Sequence, residues 1–252
     1  MQFEVLTDVG RKRKVNEDSA AVYTLPEGTI LAVIADGMGG HRAGDYASST
    51  AIKVMGEQFL KLDSTDFEDE QHWAEWLQET VNHVNRHLFN EASENEELKG
   101  MGTTLEAALI RDRSCLVSHT GDSRVYAINE NGVRQITRDH SYVNVLLDNG
   151  EITEEEAEAH PQRNWIMKAI GSEKTIDPDL YSIELKDQSY LLLCTDGLSN
   201  KVDQNRMYEI VMSDTSLDEK VKELVDLANT LGGEDNISVI LLDSTDMGVA
   251  HP

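Results

Sequence analysis

The sequence predicts an α+β fold in which antiparallel sheets are covered by pairs of helices. Segments rich in Val, Ile, Leu and Tyr, which favour strands, occur in runs rather than singly. Two pairs of segments with apolar residues at the 3.6-residue helical spacing lie between those runs. A doubly wound parallel sheet would instead alternate one strand with one helix, so antiparallel sheets with helix pairs outside them fit the pattern better.

The strands and helices are predicted in a definite order. Three strands come first, QFEVLTDV, SAAVYTL and TILAVIAD. Two helices follow at about residues 43–60 and 72–92. The second carries its apolar side chains on one side, at Trp73, Trp76, Leu77, Val81, Val84 and Leu88. Five further strands are TTLEAALI, SCLVSHTGD, RVYAI, DLYSIEL and SYLLLCTD. Two shorter helices at about 205–213 and 217–231 precede the last strand, NISVILLD.

Length and composition indicate one globular unit. Of the 252 residues, 39% are hydrophobic and 27% charged, which suits a soluble domain with a sizeable core. The sequence contains no internal repeat and no linker rich in Pro or Ser. We therefore expect one domain over residues 1–245, a C-terminal tail over 246–252, and a monomer.

The charge balance excludes some partners. A formal net charge of −25 repels nucleic acid and anionic membranes, which bind basic surfaces, but is compatible with divalent cations. No basic leader precedes a long apolar run, and the aliphatic runs are too short to span a bilayer. The two cysteines form no CxxC motif, so a reducing cytoplasm is the expected location.

Carboxylates recur at the ends of the predicted strands. The stretch ILAVIADGMGG ends an aliphatic run on an acid followed by three glycines, which allow backbone or ligand to approach closely. The acids in this kind of position are Asp36, Asp122, Asp196, Asp235, Glu17 and Asp18. Crowded carboxylates are costly unless a cation compensates them, and Mg²⁺ or Mn²⁺ prefers such oxygen ligands.

Each of these acids, taken singly, also has an ordinary structural interpretation. An Asp-Gly pair after a strand is usually a turn, which applies to Asp36 and Asp196. Asp122 fits an Asx turn, and Glu17 and Asp18 fit solvated acids. Only the order of several motifs along the chain favours a metal site.

Seven motifs in that order resemble the metal-dependent type-2C protein serine/threonine phosphatase family, and most of all its bacterial members. The motifs are TDVGRKRKVNED (7–18), ADGMGGH (35–41), MGTT (101–104), HTGDSRVY (119–126), RDHS (138–141), TDGL (195–198) and GGEDNIS (232–238). They cover almost the whole chain, and their combination is far more specific than any one of them.

The resemblance implies a four-layer α-β-β-α sandwich, with two central antiparallel sheets flanked by helix pairs, and two Mn²⁺ or Mg²⁺ ions at one end. It implies that Asp36 bridges both ions and that the Gly37 carbonyl binds one of them. Asp196 and Asp235 would hold the other ion. By the same resemblance, Glu17 and Asp18 act through water and hydrogen bonds, and Asp122 with Asp196 accommodates a third ion.

The reaction implied is hydrolysis of phosphoserine and phosphothreonine monoesters on proteins. Two cations lower the pKa of a water held between them, and the resulting hydroxide attacks phosphorus without a covalent intermediate. Arg13 is the predicted phosphate ligand, because a guanidinium binds two phosphate oxygens at once. His41 is a candidate proton donor to the leaving group, although it also fits an ordinary residue at the start of a helix.

Residues 140–170, called the flap below, resemble the segment that lies beside the metal centre and influences substrate choice; Trp165 and Ile166 are its expected anchor. Phosphorylated proteins, including a serine/threonine kinase, are the implied partners. Two other functions stay open: a metal-dependent phosphatase of small phosphates, and an inactive module that binds phosphoproteins.

Overall fold

The computed structural model describes residues 1–39, 43–63, 69–185 and 189–244. Its strands are β1 (Gln2–Asp8), β2 (Asp18–Thr24), β3 (Ile30–Met38), β4 (Gly102–Thr103), β5 (Leu105–Arg111), β6 (Ser114–Thr120), β7 (Arg124–Asn129), β8 (Gly132–Gln135), β9 (Asp179–Glu184), β10 (Tyr190–Cys194) and β11 (Ile237–Asp243). Its helices are α1 (Ala43–Phe59), α2 (Glu70–Glu94), α3 (Tyr142–Asp148), α4 (Glu154–Glu158), α5 (Asp196–Ser199), α6 (Gln204–Val211) and α7 (Leu217–Thr230), with a 3₁₀ turn at Glu96–Leu98.

The strands form two antiparallel sheets. One has the order β1-β11-β10-β7-β8, and the other has the order β2-β3-β5-β6-β9 with β4 paired to the end of β3. The first and last strands of the chain pair over their full length, from Gln2 with Asp243 to Asp8 with Ile237. This pairing brings the motif at the start of the chain next to the motif that precedes β11.

Strand β3 shows how the sequence sets the layers, because successive side chains of a strand point to opposite faces. Its odd-numbered residues pack under α1 and α2, and they are Leu31, Val33 and Ala35. Its even-numbered residues pack against the other sheet, and they are Ile30, Ala32 and Ile34. Strand β11 alternates in the same way between the other sheet and α6 with α7. Three apolar cores therefore separate four layers.

The predicted α+β sandwich is confirmed. All nine predicted strands occur, and the four predicted helices begin and end within about two residues of the expected bounds. The two short strands β4 and β8 and the short helices α3, α4 and α5 were not predicted. No helix among the described residues is long and apolar enough to cross a membrane. The predicted tail, 246–252, lies outside the described residues.

The predicted anchor of the flap is wrong in one respect. Trp165 is 57% exposed, so its ring does not hold the flap to the protein. The buried apolar residues of this segment are Val143, Ala157, Ala169 and Ile170. Ile170 also exchanges two backbone hydrogen bonds with Thr103, of 2.8 and 3.0 Å, which fix the end of the flap to β4 beside Asp36. The real anchor is therefore backbone pairing at the end of the flap.

Candidate active site

The acidic residues predicted from the motifs meet at one end of the sandwich. They line a cavity of about 600 Å³ between the ends of the strands and the flap. Its described lining consists of Arg13, Glu17, Asp36, Gly37, Met38, Gly39, Asp122, Asn164, Trp165, Ile166, Asp196, Asp235 and Asn236. Asp18 lies immediately beside this group, paired with Asp36 across β2 and β3. His41 is outside the described residues, so its place relative to the cavity stays a prediction.

The backbone around Asp36 is held by the hydroxyl groups of two consecutive threonines, Thr103 at the end of β4 and Thr104 just before β5. The Asp36 amide donates to Thr104 Oγ1 at 2.8 Å, and Thr103 Oγ1 donates to the Asp36 carbonyl at 2.9 Å. Thr104 Oγ1 also lies 2.8 Å from Ser123 Oγ, and both side chains are fully buried. Because Ser123 follows Asp122 directly, this pair of hydroxyls connects the positions of the Asp36 and Asp122 carboxylates.

Asp18 is held from the opposite sheet. Thr195 Oγ1 donates to Asp18 Oδ2 at 2.8 Å, and the Ser238 amide donates to Thr195 Oγ1 at 3.0 Å. Thr195 precedes Asp196, which begins α5. One threonine hydroxyl therefore connects the carboxylate at the start of β2 with the ends of β10 and β11.

Burial and mutual repulsion make this group of carboxylates unusually basic. Removal from water, and then repulsion by neighbouring acids, holds the pKa of Asp36 well above its ordinary value. Burial raises the pKa of Asp18 to about 7 and that of Asp122 to about 8, with repulsion by Asp196 adding to both. Burial and then Asp235 raise the pKa of Asp196 to about 6. Positive charge in the cavity would reverse these shifts.

The donor set fits hard divalent cations. Four buried carboxylate oxygens have no hydrogen-bond partner: Glu17 Oε1, Asp18 Oδ1, Asp122 Oδ1 and Asp196 Oδ1. Unpaired buried oxygens of this kind are expensive unless an ion or water binds them. Among the described residues, no three His, Cys, Asp or Glu side chains are already arranged as a metal site. Backbone oxygen and water would therefore have to complete the coordination, as Mg²⁺ and Mn²⁺ commonly allow.

Gly37 is required by the close packing of three backbone segments. A Cβ atom there would lie 2.0 Å from the Gly44 carbonyl oxygen and 2.6 Å from that of Glu17. The Gly37 amide donates to the same Glu17 oxygen at 3.1 Å. Any side chain would push α1 or the Glu17 segment away from Asp36, so a glycine is needed to keep the main chain at the cavity wall.

Arg13 lies at the rim of the cavity. Its Nη2 donates to Asp235 Oδ2 at 2.7 Å, and 47% of its side chain is exposed. The loop that carries it is fastened by Asn236, whose amide nitrogen donates to the carbonyls of Val9 and Val15 at 2.9 and 3.0 Å. The Glu17 amide donates to Asn236 Oδ1 at 2.8 Å. Sequence reasoning assigned no role to Asn236, although the GGEDNIS motif contained it.

The base of the flap is joined to the turn that carries Asp122. The His140 amide donates to the Gly121 carbonyl at 2.7 Å, and the Gly121 amide donates to His140 Nδ1 at 3.1 Å. The His140 ring stacks on His119 at 4.4 Å, and His119 Nδ1 lies 2.8 Å from the buried Glu106 carboxyl. No sequence pattern indicates a role for His140. The His119–Glu106 pair also has no sequence signal, because its two residues lie thirteen positions apart on different strands.

We expect Thr104→Val to weaken divalent-cation binding about 10- to 100-fold, as replacement of groups that orient metal ligands commonly does. Valine keeps the shape of the side chain but leaves the Asp36 amide and the Ser123 hydroxyl without their partner. The measurement is the Mn²⁺ concentration at half-maximal phosphate release. Thr24→Val, on the exposed end of β2, is the matched control. An unchanged Mn²⁺ requirement in Thr104→Val would show that the hydroxyl bridge does not position the carboxylates.

Comparisons with known proteins show which family this chain belongs to. The family described as "Protein phosphatase 2C" matches residues 10–234. The protein phosphatase PhpP of Streptococcus pneumoniae is 40% identical over 243 residues, which are 96% of this chain and 97% of the relative.

Two solved structures extend the comparison. A serine/threonine phosphatase of S. agalactiae superposes with a TM-score of 0.90 at 36% identity, covering 95% of this chain and 98% of that one. The catalytic domain of the serine/threonine phosphatase PstP, in complex with two manganese ions, has a TM-score of 0.81 at 33% identity, with 96% and 97% covered.

Proposed function

This chain belongs to the protein phosphatase 2C family, as a bacterial-type protein serine/threonine phosphatase, and we propose that it hydrolyses phosphoserine and phosphothreonine on proteins in a metal-dependent reaction. The observation that carries the proposal is the group of carboxylates with buried, unpaired oxygens, three of which (on Glu17, Asp122 and Asp196) belong to residues that line one cavity together with Arg13, while that of Asp18 lies beside them. Such a group needs cations to be stable while ionised, and the arginine supplies a ligand for the phosphate that the cations would attract.

We assign the cations to the residues as follows. Asp36 and the Gly37 carbonyl would hold one ion, Asp36 with Asp196 and Asp235 would hold a second, and Asp122 with Asp196 would offer a third position; all five residues line the cavity. When bound, such a pair of ions supplies the Lewis acidity that makes water nucleophilic at neutral pH. The unpaired oxygens of Glu17 and Asp18 would accept hydrogen bonds from water bound to these ions.

We propose direct attack by water without a covalent intermediate, because the carboxylates of the described lining, which could otherwise act as nucleophiles, are assigned to cations. No described residue in its lining carries a hydroxyl, thiol or imidazole group. Arg13 would bind the phosphate oxygens and orient the ester, and its exposure leaves the guanidinium free to turn from Asp235 towards the substrate. The leaving alkoxide needs a proton, and His41 or water is assigned as its donor; that assignment stays a prediction.

The experiment that tests the function is phosphate release from a phosphothreonine peptide with Mn²⁺, with Mg²⁺ and with EDTA. We expect release with either cation and none with EDTA. A free sugar phosphate and a phosphodiester, run in parallel, distinguish a protein phosphatase from a phosphatase of small phosphates. Absence of release from folded protein with both cations would overturn the proposal and favour a module that binds phosphoproteins.

We expect Arg13→Ala to lower kcat/KM for the phosphothreonine peptide about 100-fold, as removal of a group that stabilises transition-state charge usually does. Arg13→Lys should recover only part of this loss, because an ammonium cannot bind two phosphate oxygens in one plane. Lys14→Ala, at the exposed neighbouring position, is the control. Wild-type kinetics in Arg13→Lys would show that Arg13 contributes charge alone.

The expected partners rest on the family, and the expected location rests on the two cysteines without a CxxC motif. We propose that phosphorylated proteins, a serine/threonine kinase among them, are substrates in the cytoplasm, and that the chain acts as a monomer in one domain. Dephosphorylation of an autophosphorylated bacterial kinase domain by the purified chain, at rates above those for the peptide, is the result expected.

A further inference from the structure

One large apolar side chain of the flap is exposed in the lining of the cavity. Trp165 is 57% exposed and lines the cavity together with Ile166. Scattered apolar residues are normal on protein surfaces, but an exposed aromatic ring within a binding cavity marks contact with a ligand or partner. Most of the other side chains in the lining are acidic or polar, so Trp165 and Ile166 supply much of its apolar surface.

The backbone of Trp165 is fixed although its ring is exposed. The Tyr142 amide donates to the Trp165 carbonyl at 2.8 Å, and the Trp165 amide donates to the Gln162 carbonyl at 3.1 Å. The next residue, Ile166, forms an antiparallel bridge with Ser141. The Tyr142 ring lies 6.1 Å from the indole and supports one edge of it. A ring held in this way offers a preformed surface at little entropic cost on binding.

The ring is in the same cavity as the residues assigned to the phosphate. Trp165 and Ile166 line it together with Arg13 and Asp36. A phosphoryl group bound at Arg13 would share this cavity with Trp165 and Ile166, which brings the neighbouring residues of the substrate protein within reach of these two side chains. Because both side chains are apolar, a large apolar side chain of the substrate would bury area there that a polar one would not.

We propose that Trp165 is a specificity-determining residue, which packs against a large apolar side chain within two positions of the phosphorylated Ser or Thr of the substrate protein. The proposal rests on the proposed function, since it assigns the substrate class of the same site.

The test compares phosphothreonine peptides that carry Leu or Ser at the two positions on either side of the phosphothreonine. We expect wild type to prefer the Leu peptides about 10-fold in kcat/KM, mainly through KM. Trp165→Ala should bring this ratio close to one, and Trp165→Phe should restore most of it. Leu60→Ala removes an apolar side chain of similar exposure, 56%, outside the cavity and should leave the ratio unchanged.

Peptide binding to Asp36→Asn by calorimetry repeats the comparison without catalysis. If Asp36→Asn binds the Leu peptides more tightly and the double variant with Trp165→Ala does not, the specificity role of Trp165 is supported even when no variant releases phosphate. The specificity proposal and the proposed phosphatase function can therefore be rejected independently. Equal affinity for Leu and Ser peptides in Asp36→Asn, or a Leu preference that survives in Trp165→Ala, overturns the assignment to Trp165.

Discussion

We expect Asp36→Asn to reduce phosphate release at least about 1,000-fold, which corresponds to about 4 kcal/mol of transition-state stabilisation. Asp36 lies near the end of strand β3, where it lines the cavity, and it is the carboxylate assigned to both cations. An amide keeps the size of the side chain but removes the negative charge and the second strong oxygen ligand. The measurement is initial phosphate release at saturating Mn²⁺.

The same substitution should leave the fold intact or stabilise it. Burial and neighbouring acids make the ionised Asp36 unfavourable, so a neutral amide relieves repulsion in the metal-free protein. We therefore expect Asp36→Asn, at pH 8 in EDTA, to melt no lower than wild type. Asp226→Asn, on the exposed side of α7, controls for loss of an acid and should change neither activity nor melting temperature. An Asp36→Asn protein with more than a tenth of wild-type activity would contradict the bridging role.

The fold could be predicted because its strongest signals are local. Strand β3 is an unbroken aliphatic run, and every one of its residues up to Ala35 is buried between two layers. The short strand β8 and helix α5 were not predicted, because elements of four residues carry too little periodicity to be recognised. β8 forms a hairpin with the preceding strand β7, and α5 follows the end of β10 directly, so both are short local extensions of elements that were predicted.

The acidic residues of the site could be predicted from the sequence, but the hydrogen bonds that position them could not. Asp36 and Asp196 stand next to glycines at strand ends, where a motif can be read directly. The hydroxyl bridge from Thr104 to Ser123 joins residues nineteen positions apart and carries no pattern of its own. For Trp165 the sequence pattern was present but its interpretation was wrong. An aromatic residue in an acidic segment suggests a buried anchor, whereas the folded chain leaves the ring exposed.

We expect the metal-free protein to lose stability as the pH rises from 5 to 8. The pKa values of Asp18, Asp122 and Asp196 are raised by burial to about 7, 8 and 6 in the folded chain. These acids ionise near their ordinary pKa, about 4, in the unfolded chain. The unfolded state therefore binds fewer protons between pH 4 and 8, so the stability contributed below pH 4 is lost as pH rises through the folded pKa values.

Cations should reverse this loss, because they neutralise the same carboxylates once these are ionised. We expect Mn²⁺ to raise the melting temperature at pH 8 by at least about 4–8 °C, equivalent to about 2 kcal/mol in a chain of this size. At pH 5 the gain should be much smaller, since protons compete for the carboxylates. The reference is the melting temperature of the metal-free protein, measured in EDTA at both pH values. A metal-free melting temperature that rises from pH 5 to 8 would mean that the carboxylates are already compensated by protein groups, and would remove the electrostatic reason for a metal centre at this end of the sandwich.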